Sequence, residues 1–377
     1  MATPQEASKT PQPQKPHPRS LHESLDRIES FWLDHSEWLE EKGYMLRPRY
    51  RHGWVPSWVA ENKPKPFMAE DQRYFGHPDT MDATRISDNA LVMMKLMNDS
   101  LENEIALYFS TEPLASHPRN HCVPIYEVLH VPDPTGDDDE IIIVMPLLRP
   151  FYDPRFKSVG EAVEFFRQIF EGLQFMHEHN VAHRDVSSLN IMMDPCPTFP
   201  EMFHPAAISR SRDFKSSAKF HTRTSRPTKY LFIDFGLSEK FEPGQDRKVI
   251  PICGGDRSPP EFQHDGAEEE IDPFPTDVYC IGNLIRRKFL RPLKGVDFIQ
   301  PLVEDMIQED PTKRPTMDEV VLRYDEMVKS LSYWRLRSML VERDEPMLIV
   351  IFLAVAHIYR TTIHIFTFRS PIPRPPS

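Results

Sequence analysis

The sequence is poor in glycine and cysteine, and its N-terminal segment has no apolar run. Glycine occurs 13 times in 377 residues, about half of its average usage, which excludes collagen and Gly/Ser linker proteins. The four cysteines form no CxxC pair, so we expect neither a zinc site nor a disulfide scaffold. Residues 1–20 are rich in Pro, Lys and Gln, which predicts a disordered arm rather than a signal peptide. Together these absences favour a cytoplasmic or nuclear protein.

The remaining composition is that of a globular protein. Apolar residues make up 40% and charged residues 27%, while proline, with 38 residues, is about twice as frequent as usual. The 45 basic and 57 acidic side chains give a formal net charge of −12. This acidity argues against a general nucleic-acid coat, and we expect no nucleic-acid partner.

The predicted C-terminal tail, residues 336–377, contains the longest apolar run, at residues 347–359. A membrane span needs about 20 apolar residues, so this run is too short by itself. Extending it to residues 347–368 places Arg360 inside the span, where an arginine costs roughly 2.5–3.5 kcal/mol. The pattern therefore favours a helix docked on the protein, with membrane contact as the less favoured alternative.

The rest of the chain divides into a strand-rich and a helical portion. Ser20 and Glu23 form a capping box that predicts a helix over residues 20–43, within a Trp- and Pro-rich extension at residues 21–66. Residues 67–150 contain a hairpin with its turn at Asp88-Asn89, a helical segment and two further strands. Residues 151–335 are predominantly helical. This organisation predicts an α+β fold with a small β-rich half and a large helical half.

Four polar side chains stand in positions suited to phosphate and metal chemistry. Asp185 and Asn190 lie five residues apart on a loop after a long helix, and Asp234 follows the apolar strand of residues 230–233. Carboxylate and amide oxygens are suitable ligands for Mg²⁺. Lys95 lies in an apolar strand and needs an anionic partner. Glu104 of the next helix is the expected partner, and Glu102 is the near competitor.

These motifs resemble those of the protein-kinase family. His183-Arg184-Asp185 with Asn190, followed by Asp234-Phe235-Gly236 and preceded by the strand Lys95, matches the family's signature set in order and context. Pro259-Pro260-Glu261 resembles the motif that closes the activation segment. Asp277 is similar to the helical aspartate that anchors the catalytic loop, and Arg314 to the arginine that pairs with Glu261. The resemblance spans about residues 67–330 and implies a bilobal kinase fold.

The resemblance also implies ATP and Mg²⁺ as cofactors and gives a role to each matching residue. Asp185 would be the catalytic base, while Asn190 and Asp234 would hold Mg²⁺. Lys95, positioned by Glu104, would bind the α- and β-phosphates.

The strand of residues 140–148 would be the hinge that binds adenine, with Met145 as gatekeeper. The Pro146 carbonyl and the Leu148 amide would contact the base.

Several positions depart from the family pattern. Gly76 is the only glycine between residues 60 and 94, so the glycine-rich phosphate loop is missing. Ser187 stands where serine/threonine kinases carry a lysine, and Gly254 stands where their activation segment has a threonine. Arg184 could pair with a built-in acid, for which we expect Asp256.

A basic insert at residues 195–229 separates the two metal-binding motifs. It has seven Lys/Arg residues against Glu201 and Asp213, and predicts either a solvated disordered loop or a docking or regulatory segment. This insert, the hairpin and the Trp-rich lead-in resemble a group of kinase-like proteins of filamentous fungi, mostly basidiomycetes.

The sequence leaves three functions to weigh. The first is an ATP-dependent protein kinase acting on a protein hydroxyl, with Ser/Thr favoured over Tyr. The second is a pseudokinase that binds nucleotide as a scaffold, favoured by the missing glycines and by Ser187. The third, a small-molecule phosphotransferase, is disfavoured by the activation-segment motif at Pro259-Pro260-Glu261.

Overall fold

The computed structural model describes residues 27–57, 69–73, 77, 79–98, 101–132, 140–263 and 269–376. Within these residues a five-stranded antiparallel sheet is followed by a largely helical part. The sheet has the spatial order β1-β2-β3-β5-β4, with β1 Tyr44–Leu46, β2 Thr80–Arg85, β3 Leu91–Asn98, β4 Glu127–His130 and β5 Glu140–Pro146. The short strands are β6 Arg149–Pro150, β7 Val181–Ala182, β8 Ile191–Met193, β9 Tyr230–Phe232, β10 Glu239–Lys240, β11 Leu293–Lys294 and β12 Val341–Glu342.

Nine α-helices are found in the described part of the chain. They are α1 Arg27–Asp34, α2 Ser36–Glu41, α3 Leu101–Ser110, α4 Val159–Glu178, α5 Pro273–Ile285, α6 Gln300–Met306, α7 Met317–Ser330, α8 Tyr333–Arg337 and α9 Met347–Phe366. The mixed α/β composition predicted from the sequence is confirmed. The predicted arm, residues 1–20, lies outside the described residues.

The predicted hairpin is confirmed as β2 and β3. Met81 and Met94 are partners across the two strands. The turn contains Asn89 at φ +59°, a left-handed conformation that asparagine tolerates better than most residues. The hairpin therefore sets the register of Lys95 opposite Thr80.

The predicted helix over residues 20–43 is two shorter helices in the described residues, and its capping box lies outside them. α1 ends at Asp34, and His35 separates it from α2. Gly43 follows α2 at φ +92°, as expected for a residue that ends a helix in the left-handed region. The chain then enters β1, so the predicted extension supplies an edge strand of the sheet.

The sheet is covered on both faces, which explains why β5 is apolar at successive positions. Ile142 and Val144 pack in one cluster with Trp32 of α1. Ile143 belongs to a second cluster that includes Phe109 of α3. The N-terminal helices therefore shield a sheet face that would otherwise expose apolar side chains.

The helical part is centred on α4. Ser158 caps this helix by accepting a hydrogen bond from the Glu161 amide at 3.3 Å. Phe165 and Leu173 are fully buried in the main core. The Tyr324 hydroxyl of α7 donates to the Val163 carbonyl at 2.6 Å, which fixes α7 against α4.

The basic insert is folded, which contradicts the expectation of a solvated disordered loop. Phe199 and Phe203 are buried, and the guanidinium of Arg149 lies 4.3 and 4.5 Å from their ring centroids. Arg223 is also buried, with its guanidinium 4.1 Å from the ring centroid of Phe156. Cation–π contacts and buried aromatic area thus stabilise the packing of the insert.

The insert contacts both the sheet and the helical part. Arg212 donates to the Thr84 hydroxyl and the Asn89 carbonyl, each at 3.2 Å. Arg223 donates to the carbonyls of Phe151 and Pro154, both at 2.6 Å. The insert therefore bridges the β2–β3 hairpin and the segment that leads into α4.

The apolar tail forms a single helix, α9, that continues past residue 359 to Phe366. One side contacts the helical part, because Leu353 and Arg360 line a cavity shared with Phe156. None of its residues is buried. Within the described residues, α9 alone is long and apolar enough to cross a membrane by length and composition. The predicted docking is confirmed for one side of the helix.

We predict that Arg223→Ala destabilises the protein by about 2–4 kcal/mol, because two buried carbonyls lose their donor and Phe156 loses its cation. Arg226→Ala is the matched control, since Arg226 is exposed in the same insert and should change the free energy of unfolding by at most about 0.5 kcal/mol. Urea unfolding of both variants measures the difference. Equal, small effects would contradict the packed insert.

Candidate functional site

A buried carboxylate of α5 fixes the start of the loop of residues 183–190. Asp277 accepts hydrogen bonds from the backbone amides of His183 at 2.7 Å and Arg184 at 2.8 Å. Arg184 has φ +63°, an unfavourable conformation for a long side chain, and these two bonds stabilise it. The expected anchoring role of Asp277 is confirmed.

Asp185 and Asn190 are brought together by this loop. The Asn190 side-chain nitrogen donates to the Asp185 carbonyl at 3.0 Å and to Asp185 Oδ2 at 2.8 Å. Both amide hydrogens are thereby used, which leaves Asn190 Oδ1 as a free acceptor. Burial raises the pKa of Asp185, against hydrogen bonds that lower it.

Lys95 lies between two carboxylates that come from different elements. Its Nζ is 2.6 Å from Glu102 Oε1 of α3 and 3.0 Å from Asp234 Oδ1, which follows β9. Asp234 has φ +65°, so the backbone turns sharply after the strand. Lys95 and Asp234, far apart in sequence, thus form an ion pair.

The expected pairing of Lys95 with Glu104 is wrong. Glu104 is exposed on α3, whereas Glu102, one position from the helix start, contacts the lysine. Side chains two residues apart on a helix point about 200° away from each other, so only one of the two can face β3.

The charges of this cluster support one another. Burial would lower the pKa of Lys95, but Asp234 and Glu102 outweigh it and raise the pKa, so the ammonium persists. Burial would raise the pKa of Asp234, but Lys95 lowers it below its ordinary value. Burial raises the pKa of Glu102 despite Lys95. Asp234 is therefore the carboxylate that stays ionised most readily.

The donor set fits a divalent cation that also binds phosphate. Asn190 Oδ1 and the half-exposed Asp234 are two oxygen ligands of the kind that Mg²⁺ accepts alongside phosphate oxygens and water. No group of three or more His, Cys, Asp and Glu side chains that could hold a metal by itself occurs in the described residues. Asn190 and Asp234 could therefore hold such a cation together with phosphate oxygens and water.

The predicted hinge residues lie at the end of β5. Met145 is buried and pairs with Met93, and Pro146 pairs with Val92, across β3. The ladder ends at Pro146, and within the described residues the Leu148 amide has no hydrogen-bond partner. These three residues follow one another along the edge where β5 leaves the sheet.

Gly255 is a site residue that none of the sequence motifs indicated. Its backbone amide donates to Asp185 Oδ1 at 2.6 Å, next to the position where a threonine was expected. A Cβ on Gly254 would collide with the Asp185 carboxylate. In a chain with few glycines, this adjacent pair could have indicated a close backbone approach.

The expected pairing of Arg184 with Asp256 is wrong. Asp256 instead accepts hydrogen bonds from Asn283 Nδ2 at 2.5 Å and from Ser258. Arg184 lies 3.5 Å from Glu239 and donates to the Ile250 carbonyl at 2.8 Å. The built-in acid beside Arg184 is thus Glu239 of β10. The pairing of β10 with β7 places Glu239 opposite Ala182, two residues before Arg184.

The predicted pair of Arg314 and Glu261 is confirmed as a bidentate interaction at 2.6 and 2.9 Å. The two side chains are only 0% and 7% exposed, respectively. Burial would raise the pKa of Glu261, but the hydrogen bonds of Arg314 lower it. This pair fixes the end of the 234–261 segment to the helical part.

We predict that Arg314→Met lowers the free energy of unfolding by about 3–5 kcal/mol at neutral pH, because Glu261 is left buried without its partner. A carboxylate whose pKa is lowered by folding contributes stability above its unfolded pKa of about 4.3 and loses it as the pH falls. The difference between wild type and variant should therefore shrink in acid.

Arg323→Met is the control, since the pair of Arg323 with Asp305 is 40% and 46% exposed and should contribute at most about 1 kcal/mol. Urea unfolding at several pH values measures both. A loss equal to that of the control would contradict the buried pair.

The sequence is similar to curated kinases over part of its length. It is 22% identical over 153 residues to "Serine/threonine-protein kinase PLK4" of Drosophila virilis, covering 40% of this chain and 15% of that protein. It is 36% identical over 122 residues to "Probable serine/threonine-protein kinase KKQ8" of Candida glabrata, covering 32% of this chain and 12% of that protein. It is 26% identical over 157 residues to "Serine/threonine-protein kinase CAK1" of Saccharomyces cerevisiae, covering 38% and 33%.

The matches span at most a third of the length of these curated relatives. No protein-family model matches the chain. These three partial matches are to proteins named as serine/threonine kinases, and they support a protein kinase-like family for this chain.

Proposed function

We propose that the protein is an ATP-dependent protein kinase that transfers the γ-phosphate to a serine or threonine hydroxyl of a protein. The observation that carries this proposal is the ion pair of Lys95 with Glu102 and Asp234. The same chain also brings Asp185 and Asn190 together through a side-chain hydrogen bond. Each of these groups has a task in phosphoryl transfer, which needs positioning and charge neutralisation more than covalent chemistry.

In this proposal Lys95 binds the α- and β-phosphates of ATP. Its ammonium is held between two carboxylates, so its position is fixed before nucleotide binds. Glu102 takes the orienting role that the resemblance implied for Glu104. The sheet and the helical part would act as two lobes around the nucleotide, with adenine bound by the Pro146 carbonyl and the Leu148 amide beside Met145.

Asn190 and Asp234 would hold Mg²⁺, which supplies neutralisation of the phosphate charge when it is bound. Asp185 would orient the acceptor hydroxyl and receive its proton. Its carboxylate is fixed by Gly255 on one oxygen and by Asn190 on the other, and each oxygen keeps a second lone pair. This backbone donor takes the place of the threonine hydroxyl that the family pattern has.

A built-in negative charge would keep the segment after Asp234 in place without phosphorylation. Glu239 lies 3.5 Å from Arg184, and the Arg184 guanidinium also binds the Ile250 carbonyl. We further propose a cytoplasmic or nuclear location and relationship to the kinase-like proteins of filamentous fungi.

We predict Mg²⁺-dependent transfer from ATP to the protein itself or to a generic protein substrate, lowered about 10²–10⁴-fold in Asp185→Asn. The phosphoamino acids of the product should be serine or threonine. Radiolabelled ATP and amino-acid analysis of the product measure both. ATP hydrolysis or transfer that persists unchanged in Asp185→Asn would contradict the role of this residue.

A melting temperature that ATP with Mg²⁺ raises, without any transfer, would instead indicate a nucleotide-binding scaffold. That result would overturn the proposed activity while leaving the nucleotide site intact.

A further inference from the structure

Helix α9 exposes a continuous apolar face. Residues spaced by three and four positions form it, and each is more than half exposed: Leu348, Phe352, Val355, Tyr359 and Phe366. Because the helix has 20 residues, this strip is about 30 Å long. Thr362 lies on the same side, and its hydroxyl donates to the Ile358 carbonyl within the helix. The strip therefore offers almost no free polar group.

The basic side chains of α9 face the protein. His357 donates from Nε2 to the Arg337 carbonyl at 2.8 Å. Arg360 lines the cavity that contains Phe156, and His364 lies near Ser158 and Glu161 at the start of α4. On the helical wheel these three residues are opposite the apolar strip.

This polarity is the reverse of that of a surface helix in a water-soluble protein. Such a helix turns its apolar side to the core and its charges to water. Here the basic side faces the protein, while the residues of the apolar strip are each more than half exposed. A protein interface also carries about one hydrogen bond per 100–200 Å², for which the strip has too few groups. A lipid bilayer requires none.

The C-terminal end of α9 adds residues suited to the bilayer surface. Tyr333 and Trp334 of α8 are exposed, and Arg337 binds the Tyr333 hydroxyl at 3.2 Å and the Arg369 carbonyl, which keeps α8 beside this end. Tyrosine and tryptophan favour the membrane–water interface.

Two exposed arginines flank this contact, Arg335 of α8 and Arg369 just after α9, and neither forms an ion pair with a described residue. Exposed guanidinium groups near the end of an apolar helix complement anionic lipid headgroups.

We propose that α9 docks the protein on the surface of an anionic lipid bilayer. The apolar strip lies in the boundary between headgroups and acyl chains, and the arginines at its C-terminal end contact the headgroups. The helix rests in the plane of the membrane, with its basic side on the protein. This inference does not depend on the proposed phosphoryl transfer.

The test is sedimentation of the full chain with phosphatidylcholine vesicles, with and without phosphatidylserine. We expect wild type to bind both, and phosphatidylserine to strengthen binding. Phe352→Glu should weaken binding at least about tenfold, because an aromatic side chain that enters the bilayer is replaced by a charged one. Arg369→Gln should weaken binding to the phosphatidylserine vesicles only.

Leu322→Glu is the matched control, because Leu322 is a similarly exposed apolar residue on α7, 63% exposed. It should bind vesicles as wild type does. Since Phe352, Leu322 and Arg369 are all exposed, melting temperatures close to that of wild type will show that each variant folds.

Four outcomes would overturn the proposal. One is a wild type that binds neither vesicle, and another is an equal loss in Phe352→Glu and Leu322→Glu. The third is a concentration-dependent dimer that Phe352→Glu disrupts while vesicles have no effect, which would assign the strip to a second copy of the chain. Retention on vesicles after an alkaline carbonate wash would show a spanning helix and contradict surface docking.

Discussion

The arrangement of the candidate site depends on one shared cation. Lys95 bonds both Glu102 and Asp234, so a strand, a helix and the turn after a distant strand must meet at a single ammonium group. A partly buried lysine without anions would be costly, and so would the two carboxylates without the lysine. The three charged groups therefore stabilise one another only when they lie together, and the proposed binding of phosphate and Mg²⁺ relies on this arrangement.

Backbone groups hold the rest of the site. Asp277 binds two amides of the loop that carries Asp185, and the Gly255 amide binds Asp185 itself. A backbone amide remains a donor when its own side chain is substituted. These hydrogen bonds can therefore hold the loop although the chain departs from the kinase pattern at Ser187 and Gly254. The covered sheet is a further support, because α1 and α2 shield the face opposite α3.

The sequence predicted the parts of the structure that depend on local patterns. The β2–β3 hairpin, α3, α4 and the order of the site motifs follow from periodicity, turn residues and spacing. The sequence could not show that Glu102 rather than Glu104 pairs with Lys95, because this depends on how α3 is rotated about its axis relative to β3. The packing of the insert was not predicted, because its basic residues are typical of a solvated loop. The burial of Phe199 and Phe203 beneath Arg149 is a tertiary contact, which the local sequence does not indicate. Gly255 acts through its backbone and has no side-chain signal.

The most direct test of this account is the affinity for ATP with Mg²⁺, measured by calorimetry on Glu102→Gln and Glu104→Gln. The two variants make the same chemical change two residues apart, and only Glu102 contacts Lys95. A charge-assisted hydrogen bond contributes about 1.5–3 kcal/mol, so the account predicts that Glu102→Gln weakens binding about tenfold or more and Glu104→Gln leaves it unchanged. Equal effects of the two variants, or a wild type that binds no nucleotide, would contradict the central role of the Lys95 cluster.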